Sequence, residues 1–487
     1  MGGWIQEAIM AISALFTDFY ELTMMQGYFL AGNNPQVVFD MFYRTNPFGG
    51  GYAVFTGIQD LISNLETFRF SDDDISYLRS LNQFDETFLD FLSTYRFSGT
   101  IWAMKEGTVV FPQEPLVRVH SNLIDCQLIE GLLLNTLNFQ TLIASKSARV
   151  CQAAGNGAVM EFGLRRAQGQ NGANSASRAA YVGGVALTSN TFAAKEYGIP
   201  TGGTMAHSWV MSFSSELESF REFARIYPEN CILLIDTYDT LGSGIDNAII
   251  VGLEQKAKGL KIGVRIDSGD LSYLPKIIRS RLDEAGLENA TICVSNDLTE
   301  DIIQTLVIDG VPIDSWGVGT HLATGGTQSS LNGVYKLSAK QGADGQFLPS
   351  MKISNSFEKT TNPGIKQVYR FYGCDGLAAG DLICLDDEKM TEGQDYMFYH
   401  PFSDTDLFKM KKDKYQRFVP LLSKVMENGS LCVELTPLFD VRNNVKKNLE
   451  EFHKSYKRFI NPHIYKVSLS ERLKELKKRL IISSKIE

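Results

Sequence analysis

The sequence predicts an α/β fold: a parallel α/β barrel or barrel-like sheet, preceded in the chain by a segment of mixed helices and strands and followed by a β-rich one. Three observations predict it. Between about residue 158 and residue 325, short apolar runs end in polar or glycine residues and helical stretches follow them. Four of these runs, "CILLIDTYD", "KIGVRIDSGD", "TICVSND" and "SWGVGTHLATGG", recur roughly thirty residues apart, the length of one βα unit. The runs are β-branched and too short for helices, and the stretches between them are amphipathic, which implies a parallel sheet.

Taken in order, residues 1–145 come first. There "TDFYELTMMQGYF" predicts an amphipathic helix, "VVFDMFYR" and "LVRVHS" predict strands, and "DCQLIEGLLLNTLNFQTLIASKSARV" predicts a long, mostly buried helix. Residues 146–335 hold the barrel, with strand runs "AVMEFG" and "GIPTGG" ahead of the four repeating ones. Helices are predicted at "SELESFREFARIY" and "LSYLPKIIRSRLDEAG", the second capped by Asp270 and closed by Gly286. The Gly-, Gln- and Asn-rich stretch 168–177 reads as a loop. From 336 to 440 the rhythm breaks, and "KQVYRFYG" and "LICLDD" predict a second, β-rich region. In the tail, 441–487, "LSERLKELKKRLIISSKI" predicts a basic amphipathic helix with a solvated face.

Composition narrows the function classes. The 487 residues are 44% hydrophobic and 21% charged, as in a globular protein of more than one domain. A net charge of −9 argues against nucleic-acid or anionic-membrane binding by the surface as a whole, but leaves room for a local basic pocket. The seven cysteines form no CxxC pair, so a structural zinc site is not expected and a reducing, cytoplasmic setting is. The apolar opening stretch lacks a basic flank and is interrupted by Glu7, so no signal peptide or bilayer-spanning segment is expected.

In parallel α/β folds, ligands bind at the carboxyl ends of the strands. Here those ends carry Asp236 and Asp239; Arg265, Asp267, Ser268 and Asp270; Asn296 and Asp297; and Gly317, Gly319 and Thr320. The pieces suit an anionic, metal-bound substrate. Asp236 and Asp267 suit Mg²⁺, which takes few carboxylates and keeps substrate phosphates as its other ligands. The glycine turn with Thr320 offers backbone N–H groups and a hydroxyl to a phosphate, although the same pattern also makes a plain tight turn. Arg265 falls on the same side of its strand as Asp267 and suits a carboxylate or phosphate. Phe162 beside Arg165 and Arg166 suits a flat aromatic acid, and also reads as a core ring beside surface cations. Arg44 precedes a flexible glycine turn. His207 ends the run "IPTGGTMAHS", whose small residues let a ligand approach the backbone closely; a satisfied loop histidine fits the same residues.

Together these stretches resemble the nicotinate phosphoribosyltransferase family. The likeness runs from about residue 14 to the C-terminus through "TDFYELTMMQGYF", "NPFGGGYAVFTG", "EFGLRRAQG", "TSNTFAAKEYGIPTGGTMAHS", "LIDTYDT", "VRIDSGDL", "VGVGTHLATGG" and "FINPHIYKVSLSERL". The resemblance implies a type II phosphoribosyltransferase-like fold: an N-terminal sandwich-like domain, an irregular parallel α/β barrel and a C-terminal domain, in a homodimer with shared active sites. It implies joining of nicotinate to phosphoribosyl pyrophosphate, with Mg²⁺ or Mn²⁺ present and ATP hydrolysis coupled through a phosphorylated histidine, here His207. It assigns Tyr20, from the partner subunit, and Phe162 to the pyridine ring. Arg265, Thr204 and Arg165 go to nicotinate. Gly317, Gly319 and Thr320 go to the 5-phosphate, and Asp236 and Asp267 to ribose or metal. Arg44, Lys359 and Lys366 go to pyrophosphate. Asn190 stands where the nicotinamide-using relative carries an Asp, so the acid is the expected substrate. A nicotinamide phosphoribosyltransferase and a non-catalytic protein retaining the pocket are the alternatives. A barrel aldolase is disfavoured because no strand end carries a Schiff-base lysine.

Overall fold

The structure, a computed structural model, describes residues 12–354 and 359–484; residues 1–11 of the apolar opening stretch lie outside them. It divides into two compact units, one of residues 142–329 with 438–443 and one of residues 1–141, 330–437 and 444–487.

The first unit is built on a six-stranded sheet: β1 (Ala158–Glu161), β2 (Leu187–Thr188), β3 (Ile232–Leu234), β4 (Gly263–Ile266), β5 (Thr291–Val294) and β6 (Ser315–Val318). All neighbours are parallel, in the order β2-β1-β6-β5-β4-β3. Among the described residues no ladder joins β2 to β3, so the hydrogen-bonded sheet is open between these two edge strands. Val264, Ile266, Ile292, Val294, Trp316 and Val318 are almost fully buried, which explains why these runs read as continuous apolar stretches. Each such side chain contributes about 1.5–3 kcal/mol by leaving water.

Most predicted helices are present. Glu216–Ile226 starts at the Ser215 cap, whose side chain accepts from Glu218 N. Leu274–Glu284 ends as expected: Gly286 has φ +76°, its N–H bonds Asp283 O, and Leu287 N–H bonds Leu282 O, the double closure of a Schellman turn. Asp270 caps the turn ahead of that helix, with Oδ1 accepting from Ser272 N and Tyr273 N.

Three expectations fail. The stretch 168–177 is not a loop but the start of helix Gly169–Val182. Within 168–177 its buried residues are Ala173, Ala176 and Ser177, small side chains that pack closely without an apolar signature; the bulkier buried residues, Arg178, Tyr181 and Val182, come after that stretch. "GIPTGG" makes only a single bridge, Thr201 to Thr188, because Pro200 has no N–H to extend a ladder. The long buried helix is two helices, Leu123–Leu128 and Glu130–Ala154.

Among the described residues the second unit holds a two-stranded sheet, Ala53–Val54 with Val109–Val110, and two large ones. One has seven antiparallel strands and pairs Gln36–Tyr43 with both Val117–Asn122 and Gly333–Gln341. The other has six strands and pairs Lys366–Gly373 with Ala378–Leu385. Helices Phe19–Leu30 and Glu471–Ser483, both predicted from the sequence, also belong to it. No helix among the described residues is long and apolar enough to cross a membrane.

Candidate active site

The parallel register builds the site. Leu234, Arg265 and Cys293 lie side by side on β3, β4 and β5, and Cys293 pairs with Ser315 on β6. Side chains repeat every second residue, so Asp236, Asp267, Ser295 and Gly317 form the next row, just past the strands on the same face. This row carries the hydrogen bonds of the site.

Arg265 is held on four sides. Nε donates to Ser295 Oγ (2.9 Å), Nη1 to Thr204 Oγ1 (2.7 Å) and to Met205 O (3.2 Å), and Nη2 to Asp267 Oδ1 (3.0 Å). One Nη2 hydrogen remains for a ligand, so a carboxylate meets this guanidinium through a single N–H rather than through a full fork. Asp267 also accepts from Ser295 Oγ. Burial pushes the Asp267 carboxyl up, but the Ser295 hydrogen bond and the Arg265 charge, with His207 adding, hold it below the usual carboxylate range.

Asp236 reaches across to the next strand end. Its Oδ2 accepts from Asp267 N (2.9 Å) and Ser268 Oγ (2.6 Å), and its side chain has no exposure. Its Oδ1 is buried with no hydrogen-bond partner among the described residues. His207, the first residue of the short helix His207–Met211, turns Nε2 toward both acids, 4.0 Å from Asp236 Oδ1 and 3.9 Å from Asp267 Oδ2. Its Nδ1 lies 3.1 Å from Thr237 Oγ1. Two acidic oxygens thus face one space, one of them an orphaned acceptor. That suits a divalent ion whose other ligands come from a substrate, since no group of three or more His, Cys, Asp or Glu side chains among the described residues is placed to cage one.

The ring and the glycine turn adjoin this row. A Cβ on Gly317 would lie 2.8 Å from the Phe162 ring and 3.2 Å from Ser295 Cβ, so glycine there is what seats the ring against the sheet. Phe162 N bonds Val318 O, which sets its backbone beside Gly319 and Thr320. Thr320 opens the short helix Thr320–Ala323. Arg165 and Arg166 are exposed on the turn Leu164–Arg166.

Asn190 is 1% exposed and spends its side chain inside the protein: Oδ1 caps helix Thr191–Tyr197 at Ala193 N, and Nδ2 donates to Asn174 and Ser177. It borders a cavity of about 310 Å³ beside Asn174 and Phe192. Asp239 is a cap that accepts from Gly242 N, and Asn296 and Asp297 are exposed. Lys366 is no surface cation. It is 2% exposed and pairs with Asp40 at 2.7 Å, and burial pulls its ammonium below the ordinary lysine range although Asp40 opposes this. Tyr20, Arg44 and Lys359 belong to the other unit; Tyr20 is half exposed, Lys359 is exposed, and Arg44 Nε is buried without a partner among the described residues.

Sequence reasoning missed Ser295, Thr237 and Glu161. Glu161 ends β1 fully buried, accepting from Gly163 N, Ser177 Oγ and Thr188 Oγ1, and so holds the turn that carries Phe162. Ser295 was findable: it stands two residues past Cys293, in the row that register predicts for Asp267.

A parallel α/β unit with an acid pair, a buried arginine and a glycine turn at its strand ends has the architecture of a type II phosphoribosyltransferase. Family models described as the nicotinate phosphoribosyltransferase N-terminal domain, family and C-terminal domain match residues 15–138, 158–367 and 365–477. A nicotinate phosphoribosyltransferase of Bacillus subtilis is 40% identical over 477 residues, covering 96% of each chain. One from Caenorhabditis elegans is 36% identical and covers 95% of this chain and 92% of its own. The crystal structure of human nicotinic acid phosphoribosyltransferase superposes with a TM-score of 0.84 at 30% identity, covering 95% of this chain and 99% of that one. The chain belongs to the nicotinate phosphoribosyltransferase family and is an enzyme.

Proposed function

We propose that the protein joins nicotinate to 5-phosphoribosyl 1-pyrophosphate, giving nicotinate mononucleotide and pyrophosphate, in NAD biosynthesis, with ATP hydrolysis coupled through His207. The observation that carries this reading is the single hydrogen-bonded row at the strand ends, with Arg265, Asp267, Asp236 and Ser295 knit together beside His207. The remaining Nη2 hydrogen of Arg265 takes the nicotinate carboxylate, with Arg165 as a second cation. Phe162 covers one face of the pyridine, and Tyr20 of the partner subunit covers the other, in a homodimer with shared sites. Gly319 and Thr320 receive the 5-phosphate, with Gly317 making room for the ring. Arg44 and Lys359 receive pyrophosphate. Asn190, a neutral cap, keeps a negative charge away from the acid substrate.

The pyridine nitrogen attacks C1 of the ribose as the C1–pyrophosphate bond breaks; no base is required, because that nitrogen already carries a free pair. Holding ring and sugar in line supplies much of the acceleration. Asp236 and Asp267 would hold Mg²⁺ or Mn²⁺, which when bound neutralises charge on the leaving pyrophosphate. In the coupled step, the Nε2 pair of His207 attacks the γ-phosphorus of ATP and the bond to the β-phosphate oxygen breaks, releasing ADP. Water later takes the phosphoryl group and the pair returns to Nε2. The free thiols of all seven cysteines suit the cytoplasm.

The test gives purified protein nicotinate, phosphoribosyl pyrophosphate and Mg²⁺, with and without ATP, beside His207→Ala. Wild type is expected to make nicotinate mononucleotide faster with ATP, and the variant to lose ATP stimulation and ATPase activity. A variant that couples ATP normally overturns the phosphohistidine. Comparable kcat/KM on nicotinamide overturns the substrate.

A further inference from the structure

We propose that Ser295 is a positioning residue that ties the nicotinate cation, Arg265, to the acid serving the activated sugar, Asp267; this rests on the function proposed above. Ser295 is 3% exposed and follows directly on β5, its N–H bonded to Ile266 O at 2.9 Å, so strand pairing fixes its backbone. Its hydroxyl has Arg265 Nε on one side and Asp267 Oδ1 on the other. The direction of this chain is not ambiguous. Arginine Nε has only a hydrogen to give and an ionised carboxylate has only lone pairs, so Ser295 accepts from the first and donates to the second.

The bridge does two things that the direct Arg265–Asp267 pair does not. It grips the guanidinium on its Nε edge while Asp267 grips Nη2, so the plane cannot swing about the Cδ–Nε bond. It also gives Asp267 a donor that keeps Oδ1 turned to the sheet and leaves Oδ2 on the His207 side. The hydroxyl stands in a tight place, with its Cβ 3.2 Å from the position a Cβ on Gly317 would take, behind the seat of Phe162. Ser295 therefore joins the backing of the ring, the orientation of the arginine and the orientation of the acid in one small side chain. Loss of the hydroxyl should weaken nicotinate binding and turnover together.

The experiment compares wild type, Ser295→Ala, Ser295→Cys and Ser295→Thr. Steady-state kinetics are run at saturating phosphoribosyl pyrophosphate and Mg²⁺, nicotinate binding is measured by calorimetry without the sugar, and melting is followed by circular dichroism. Ser295→Ala is expected to raise the nicotinate KM and dissociation constant by about tenfold or more, as for a lost hydrogen bond to a charged group, and to lower kcat. Ser295→Cys fills the same volume with a weak donor and is expected to behave like Ala. Ser295→Thr keeps the hydroxyl and recovers most of the loss. An Ala variant with wild-type nicotinate affinity, or a Cys variant equal to wild type, overturns the role; the second outcome assigns the site to packing alone. If the Thr variant does not fold, the Ala and Cys pair still decides. A wild-type protein that makes no nicotinate mononucleotide sinks the proposed function, whereas a working wild type matched by its Ala variant sinks only Ser295.

Discussion

Thr237 is the smallest device with a consequence for the proposed coupled step. Which imidazole nitrogen carries the proton is set by the hydrogen bond that the other makes. Attack through Nε2, as proposed, requires Nδ1 to carry the proton and donate it to Thr237 Oγ1, 3.1 Å away, because Nε2 is the nitrogen that faces Asp236 and Asp267. Thr237→Val keeps the shape and removes that acceptor. It should cut labelling of the protein by γ-labelled ATP by about tenfold, within the range seen when an orienting partner of a histidine is lost; Thr237→Ser should restore it. Unchanged labelling in the Val variant would show that the orientation comes from elsewhere. Thr237 also shows how residue types mislead. The acids around it drew the sequence argument, yet Asp239 and Asp270 spend their oxygens on backbone N–H groups, while the neutral hydroxyls of Ser295 and Thr237 touch Arg265, Asp267 and His207.

Helix Phe19–Leu30 shows how an element is both capped and burdened. Its N-cap Asp18 and N3 residue Glu21 form a capping box, but Glu21 is fully buried. Burial pushes its carboxyl up to about 7, against the lowering hydrogen bond from Thr17 and with Glu130 adding to the rise. A carboxyl raised in the fold binds its proton more tightly there than in the unfolded chain. Its stabilising contribution is therefore full below the ordinary glutamate range and fades as pH rises through about 7. Glu21→Gln, which stays neutral, should raise the melting temperature at pH 8 and change it little at pH 4. A drop at pH 8 would mean that the ionised carboxylate holds the cap. Element-level reading failed where packing replaced pattern. Over 168–177, helix Gly169–Val182 buries only Ala173, Ala176 and Ser177, so periodicity could not separate that stretch from a loop.

At the scale of the whole molecule, the proposal of shared sites has a test that neither unit alone can pass. If Tyr20 serves the partner's Arg265, then Tyr20→Ala and Arg265→Ala homodimers are each impaired. Exchange of their subunits rebuilds one intact site per mixed dimer. Mixing after mild dissociation should recover up to about a quarter of wild-type activity, the share of intact sites when mixed dimers make up half the population. No recovery would place Tyr20 in its own subunit's site or outside any site. The sequence by itself determined the βα rhythm, the strand ends that carry Asp236, Arg265, Asp267 and Thr320, and, through its ordered motifs, the family. These are local properties: alternation, caps and residue type lie within a few positions of one another. Only the tertiary structure decided that the sheet runs β2-β1-β6-β5-β4-β3, that Gln36–Tyr43 pairs with Gly333–Gln341, that Lys366 is sealed against Asp40, and that Ser295 rather than Asn296 or Asp297 faces the arginine. Each of those depends on strand pairing between residues tens to hundreds of positions apart, and hydrogen-bond partners at that distance leave no trace in the order of the residues.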